Sequence, residues 1–134
     1  RVRLGTPELK NWTVRALPLK ADSMVRAPKG KGPSQKREGA HFRAVVNIEE
    51  PQDTFLDMSR YVKGYVWVNG INVGRYWNVG PQLRLYVPAP FLKKGENVID
   101  ILDLHEKEPK PVRGMKERNK EPGKINTKNL DNQW

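Results

Sequence analysis

Several short stretches of the chain alternate apolar and polar residues, and this pattern predicts β-strands rather than helices. Residues 41–48 and 53–58 alternate in this way, and so do residues 83–87. In residues 97–105 apolar side chains fall on both parities, as expected of a strand with both faces partly covered. The side chains predicted to point inward are Phe42, Ala44, Val46, Ile48, Thr54, Leu56, Met58, Leu83, Leu85 and Val87.

The dipeptide Asn69-Gly70 predicts a two-residue hairpin turn, because both central residues of a type I′ turn need positive φ. Such a turn pairs Val68 with Ile71 and Val66 with Val73, with the four β-branched side chains on one face. Tyr65 and Gly74 then pair on the other face, where Trp67 packs, and Gly74 is a candidate bulge or site of close approach.

The two ends of the chain are less regular. Residues 11–19 contain a short alternation with Pro18 inside it, which predicts an edge strand with Trp12 as a core plug. Residues 21–39 read as a basic loop. Residues 106–134 read as an extended tail that either crosses the sandwich as coil or pairs with the N-terminal strand.

No helical stripe of useful length occurs, and about seven short strands are separated by turn signals every 8–12 residues. We therefore predict an all-β fold, an antiparallel β-sandwich or jelly roll. A single domain is expected over residues 1–134, with its core at about residues 40–104. Because the chain does not begin with Met, we expect it to be a piece of a longer protein.

The net charge of +10 raises the question of nucleic-acid binding. Residues 1–44 carry eleven basic and three acidic residues, residues 45–104 carry six and seven, and residues 105–134 carry eight and five. The basic charge thus lies in Gly- and Pro-rich flanks, which is typical of solvated loops. We expect no nucleic-acid partner and no membrane partner, since no apolar run approaches the length of a bilayer span.

Disulfides and thiolate metal sites are excluded, because the chain has no Cys. Its two His residues, His41 and His105, lack metal-ligand spacing.

A distinctive series of motifs runs through residues 53–97: "DTFLDM", "WVNG", "GRYW", "GPQ", "LYVP" and "LKKGEN". On these motifs the chain resembles the C-terminal β-sandwich of family 35 glycoside hydrolases, the β-galactosidases. The resemblance covers residues 40–104 well, the first forty residues only through "NWTVRALPL", and the tail hardly at all. It implies a jelly roll of the galactose-binding-domain type, in an extracytoplasmic (periplasmic or secreted) protein.

In that family the catalytic glutamates lie in a separate (β/α)8 barrel, and no residue of this chain matches them. The resemblance therefore implies a non-catalytic module of a retaining β-galactosidase, whose partners are the barrel and other domains of the parent chain, with β-galactoside contact as an addition. An autonomous galactose-binding module is the alternative, and a basic nucleic-acid-binding domain is a third and weaker one.

The loop that follows the predicted hairpin combines aromatic rings with hydrogen-bonding groups. A sugar can stack its C–H face on such a ring while amides and a guanidinium bind its hydroxyls. The candidate residues are Arg75, Tyr76, Trp77, Asn78 and Gln82. Two alternatives are that Tyr76 and Trp77 plug the end of the sandwich, or that Trp77 anchors an interface with the barrel.

Two carboxylates, Asp53 and Asp57, lie four residues apart on a predicted strand. That spacing separates them by about 13 Å, whereas a retaining pair lies about 5 Å apart. We expect no catalytic residue here, and predict that both accept hydrogen bonds from loop amides or pair with Lys63 or Arg75. No cofactor is expected. Because galactose-binding-like jelly rolls can hold a structural Ca²⁺, Asp53 and Asp57 are weak candidates for that ion.

Overall fold

The computed structural model describes residues 2–25 and 39–118, and these form two antiparallel β-sheets. The four-stranded sheet has the order β1-β6-β3-β4 and the three-stranded sheet has the order β5-β2-β7. This arrangement confirms the predicted all-β sandwich. The strands are β1 (Ala40–Ile48), β2 (Thr54–Asp57), β3 (Lys63–Val68), β4 (Ile71–Trp77), β5 (Arg84–Val87), β6 (Gly95–Asp103) and β7 (Arg113–Met115).

The core lies between the two sheets and follows the predicted alternation. On β5, Leu85 and Val87 are buried, and Tyr86 between them is exposed. On β2, Leu56 is buried between the half-buried Phe55 and Asp57. The core cluster consists of Leu56, Met58, Tyr61, Val66, Val68, Tyr76, Leu85, Val87 and Ile101.

The sandwich is more open at β1 than the pattern predicts. The predicted inward face of β1 does face the other sheet, but two of its four predicted inward side chains, Ala44 and Val46, are exposed there. The apolar side chains of this face of β1 line a groove of about 610 Å³, which continues past Leu56 on β2 to Met115 on β7. Both β1 and β7 are edge strands, so this side of the sandwich lacks a covering strand among the described residues.

Strand β6 is not the last strand of the described chain. After it the chain passes along the sandwich, held where the Tyr61 hydroxyl donates to Lys110 O (2.9 Å) and accepts from Lys110 N (2.8 Å). β7 then pairs with β2, so this part of the predicted tail neither stays coil nor pairs with the N-terminal segment. The remainder of the tail, residues 119–134, lies outside the described residues.

The predictions for the N-terminal segment are wrong in two respects. Residues 11–19 form no strand, and Trp12 is 62% exposed rather than a core plug. An alternating segment needs a neighbouring strand to form a ladder, and no described strand pairs with this one. A short helix α1 (Ala21–Val25) replaces the start of the predicted loop and buries Ala21. Residues 26–38 lie outside the described residues.

The hairpin between β3 and β4 contains the predicted turn and an additional bulge. Asn69 and Gly70 have φ of 49° and 83°, and Val68 pairs with Ile71 as predicted. Further along, Val66 pairs with Gly74 instead of Val73, because a register shift lies between Val66 and Trp67. One extra residue on β4 reverses the face of every residue after it.

None of the helices described in residues 2–25 and 39–118 is long and apolar enough to cross a membrane.

Candidate functional site

The outer face of the β3–β4 hairpin carries Trp77 between two cationic side chains. Lys63 is the direct cross-strand partner of Trp77, and its Nζ lies 4.6 Å from the centroid of the indole ring. Arg75 lies two residues before Trp77 on the same face of β4, and its Cζ lies 5.4 Å from the same ring. Both distances fall within the range of cation–π attraction, so the ring and the two side chains hold one another in place.

The loop after β4 is fixed to the sandwich and forms a small cleft beside Trp77. Asn78 N donates to Val62 O (2.8 Å), Gly80 N donates to Trp77 O (2.9 Å), and Val79 is buried. The peptide bond between Gly80 and Pro81 is cis. The cleft has a volume of about 190 Å³ and is lined by Gly74, Arg75, Trp77, Gly80, Pro81 and Gln82.

The cleft contains three of the five predicted sugar-binding residues. Arg75, Trp77 and Gln82 line it, whereas Asn78 does not. Tyr76 belongs to the core, because the β4 bulge turns it inward. A volume of about 190 Å³ lies below the roughly 300–1,000 Å³ of typical ligand pockets.

A buried polar network lies on the inner side of the same strands. The Tyr76 hydroxyl donates to Asp103 Oδ2 (2.9 Å), and burial raises the pKa of Tyr76, with the neighbouring carboxylate adding to that effect. Asp103 Oδ2 also accepts from Val62 N (2.9 Å) and Lys63 N (3.3 Å), and Oδ1 accepts from His105 N and Glu106 N. Asp103 thereby connects the end of β6 to β3 and β4, which carry the site.

A second buried carboxylate, Asp100, lies on the outer face of β6. Arg43 binds it through two donors, Nε to Oδ1 (2.8 Å) and Nη2 to Oδ2 (2.9 Å), and His41 Nε2 lies 2.8 Å from Oδ1. Burial alone would raise the pKa of Asp100, but these hydrogen bonds outweigh it and hold the pKa below its usual value. The cluster connects β1 to β6.

An amide pair fastens the hairpin turn to the turn before β6. Asn97 is fully buried, and its Oδ1 accepts from Asn69 Nδ2 (2.8 Å) and Lys93 N (2.9 Å). Asn69 Oδ1 in turn accepts from Val98 N (2.9 Å). The polar positions of β6 were the only sequence signal for these contacts, because a polar residue inside an apolar strand needs partners when it is buried.

The two calcium candidates are engaged by protein groups. Asp53 accepts from Ala89 N (2.8 Å) and from the Tyr86 hydroxyl (2.7 Å), and these two bonds lower its pKa in that order of strength. Asp57 accepts from Ser59 N (3.0 Å), and Arg84 Nε lies 3.9 Å from its Oδ2. Loop amides bind both carboxylates, as predicted.

The charged partner of Asp57 is thus Arg84, whereas the sequence analysis predicted Lys63 or Arg75. Within the described part of the chain, no group of three or more His, Asp or Glu side chains could hold a metal ion. A structural Ca²⁺ stays a prediction.

Comparison with known proteins locates a family match in the centre of the chain. Residues 40–97 match the family model described as β-galactosidase, galactose-binding domain. The sandwich is a galactose-binding-like domain of the β-galactosidases. The matched range contains the Trp77 cleft and the Asn69–Asn97 pair, but it ends before Asp103 and β7.

Curated relatives of this β-galactosidase domain come from bacteria, animals and plants. The chain is 39% identical over 89 residues to a β-galactosidase of Xanthomonas manihotis, which covers 64% of this chain and 14% of that protein. It is 36% identical over 104 residues to β-galactosidase-1-like protein 2 of Homo sapiens (75% and 16%). It is 50% identical over 70 residues to β-galactosidase 8 of Oryza sativa subsp. japonica (52% and 10%). The chain thus spans less than a fifth of the length of each of these relatives.

Proposed function

We propose that this chain is a non-catalytic sandwich module of a family 35 β-galactosidase-like glycoside hydrolase, and that it braces the catalytic domain. The relatives named β-galactosidase support the assignment of the chain to a β-galactosidase-like protein. The carboxylates of Asp53, Asp100 and Asp103 each accept hydrogen bonds from protein donors. These contacts support a structural role for them rather than a catalytic one. The proposal includes an extracytoplasmic location of the parent enzyme, as expected for this family.

The observation that carries the bracing role is an apolar arm, residues 2–20, which projects large apolar side chains into solvent. Val14 is 89% exposed and Leu17 is 92% exposed. The others that are exposed are Val2, Leu4, Leu9, Trp12 and Leu19. Soluble proteins rarely expose so many large apolar residues along one segment, and such surfaces mark contacts with another protein or domain. The arm therefore suits docking onto a neighbouring domain of the parent enzyme.

The arm is tested by the double substitution Val14→Asp and Leu17→Asp in the full-length enzyme. Burial of one such side chain contributes about 1.5–3 kcal/mol, so we expect loss of both to shorten the half-life of activity at elevated temperature by at least tenfold. The initial rate of the variant at low temperature should stay within twofold of the wild-type rate, because no residue of the arm is proposed to take part in catalysis. Activity after timed heating is the measurement.

Val45→Asp is the matched control, because Val45 is 59% exposed on β1 and lies outside the arm. It introduces the same side chain at a similarly accessible site and should leave the half-life unchanged. Equal half-lives for the wild-type enzyme and the double variant would contradict the bracing role.

A second candidate function is contact with carbohydrate through the Trp77 cleft, favoured by the combination of an indole, a guanidinium and the amide of Gln82 around one small cavity. We expect galacto-oligosaccharides to produce a saturable change in Trp fluorescence. Trp77→Ala should weaken this binding at least tenfold, since an aromatic anchor contributes about 2 kcal/mol or more. Trp12→Ala, which removes an exposed indole from the arm, is the control and should bind as the wild type does. An undiminished response in Trp77→Ala would contradict the role of the cleft.

A further inference from the structure

The edge of β1 is the one sheet edge, in the part of the chain that the structure describes, without protection against pairing. Natural sheets protect their edges with bulges, short strands, proline or charge. Of the other three edge strands, β4 has a bulge, β7 has three residues, and β5 has four residues and is followed by Pro88. Strand β1 has nine residues without Pro or Lys, and its ladder with β6 runs through nine pairs without a shift. Its only Arg, Arg43, binds Asp100 on the outer face and does not guard the edge.

The groove beside this edge brings the core of the sandwich to the surface. Its walls include Leu56, Val68 and Val87, which belong to the core cluster. At nine residues, β1 is about 30 Å long. A compact apolar ligand would cover apolar walls but would leave the backbone N–H and C=O groups of the β1 edge unpaired. An extended peptide segment would satisfy both, because its backbone would pair with the edge while alternate side chains entered the groove.

The surface proposed to meet the rest of the parent enzyme begins next to β1. The arm, residues 2–20, runs directly into α1, which contains Asp22. The hydrogen bond to Asp100 raises the pKa of Arg43 on β1, and attraction to Asp22 adds to this effect, so α1 lies near β1. The relatives are more than five times as long as the part of them that this chain spans. A parent enzyme of that length has ample chain outside residues 1–134 to supply a segment at this place.

We propose that an extended segment of the parent enzyme, from outside residues 1–134, adds as a strand to the open edge of β1 and fills the groove between β1 and β7. The segment pairs its backbone with residues 40–48 and alternates apolar with polar residues, so that every second side chain packs in the groove. This inference rests on the proposed role as a module of a larger enzyme. It adds to the bracing a second contact that does not involve the arm.

Photo-crosslinking in the full-length enzyme identifies the occupant of the groove. The photoreactive residue p-benzoylphenylalanine replaces Val46 on β1 in one variant and Met115 on β7 in another, since both side chains line the groove. After irradiation and peptide mass spectrometry, we expect both variants to be crosslinked to the same segment outside residues 1–134. The same replacement at Tyr86 is the matched control, because Tyr86 is exposed on β5 and lies outside the groove. It should not capture that segment.

Val46→Asp tests the same contact without a bulky probe. The carboxylate would meet the apolar side chains of the added strand, so we expect the half-life of the full-length enzyme's activity at elevated temperature to fall at least tenfold. Val45→Asp is the matched control, because Val45 is the next residue of β1, is exposed, and points to the opposite face. Its half-life should stay within twofold of the wild-type value. In an open groove Asp at position 46 would reach water, so equal half-lives for the two variants would contradict the inference.

Three crosslinking results would overturn the inference. Crosslinks only within residues 1–134 would mean that the chain fills its own groove. Crosslinks between two copies of the enzyme would mean that the edge of β1 forms a contact between subunits. No crosslink from either position would mean that the groove stays open. If the double variant Val14→Asp and Leu17→Asp still loses its activity faster on heating in any of these cases, the bracing role of the arm stands without the groove contact.

Discussion

Replacing Asp103 by alanine is expected to lower the free energy of unfolding by at least about 3 kcal/mol, because one carboxylate is the acceptor for several donors at once. The carboxylate is fully buried and accepts hydrogen bonds from the Tyr76 hydroxyl and from four backbone N–H groups. Alanine leaves these donors without a partner, and each unsatisfied buried donor costs about 1–3 kcal/mol. Urea unfolding followed by Trp fluorescence measures the loss.

Asp53→Ala is the control for Asp103→Ala. Asp53 also accepts a tyrosine hydroxyl and a backbone N–H, but it is exposed, so water replaces the carboxylate. We expect this variant to lose less than about 1 kcal/mol. Asp103→Asn, which retains one acceptor oxygen, should fall between the two. A loss in Asp103→Ala no greater than in Asp53→Ala would show that the network does not hold β3, β4 and β6 together.

The parts of the fold that the sequence predicts well depend on local patterns. Alternation places Leu85 and Val87 inside because a strand turns successive side chains to opposite faces. Asn69-Gly70 marks the hairpin because few other residues tolerate positive φ at two successive positions. Each of these features is determined by a few neighbouring residues, so the sequence is sufficient.

The bulge in β4 is where local reasoning fails, and it decides the composition of the candidate site. A regular hairpin would turn Tyr76 outward and Arg75 inward. The extra residue before Gly74 reverses this, so that Arg75 and Trp77 share the outer face and Tyr76 enters the core. Gly74 has φ of 133° and its N–H donates to Asn72 Oδ1 (2.8 Å), so both residues are suited to a bulge. The sequence marks Gly74 as a candidate without showing which register results.

The buried polar network was also beyond local reasoning, because its partners are far apart in sequence. Asp103 accepts from groups up to 41 residues away, and Asp100 binds Arg43 across 57 residues. The carboxylates are visible in the sequence of β6, but their partners follow only from the sheet order. We therefore expect the stability of the site to depend on residues that the motif pattern did not select.

Gly64→Ala is expected to destabilise the protein by at least about 3 kcal/mol, or to prevent soluble expression. A Cβ at Gly64 would lie 1.8 Å from Leu102 O and 2.7 Å from the Tyr76 hydroxyl oxygen. The first of these is backbone of the adjacent strand β6, which cannot rotate away, so β3 and β6 must separate. Overpacking of a core costs about 1–3 kcal/mol and occasionally more. Loss of the ladder beside Asp103 adds to that cost.

Gly114→Ala is the matched control for Gly64→Ala, because both glycines lie in strands and neither needs positive φ. A Cβ at Gly114 would meet only the Thr54 hydroxyl oxygen, at 3.0 Å, and that side chain can rotate. Both substitutions restrict the unfolded chain equally, so the difference between their unfolding free energies isolates the backbone clash. We expect Gly114→Ala to change stability by less than about 1 kcal/mol. Equal stabilities would contradict the predicted clash, because β3 would then move away from β6 without penalty.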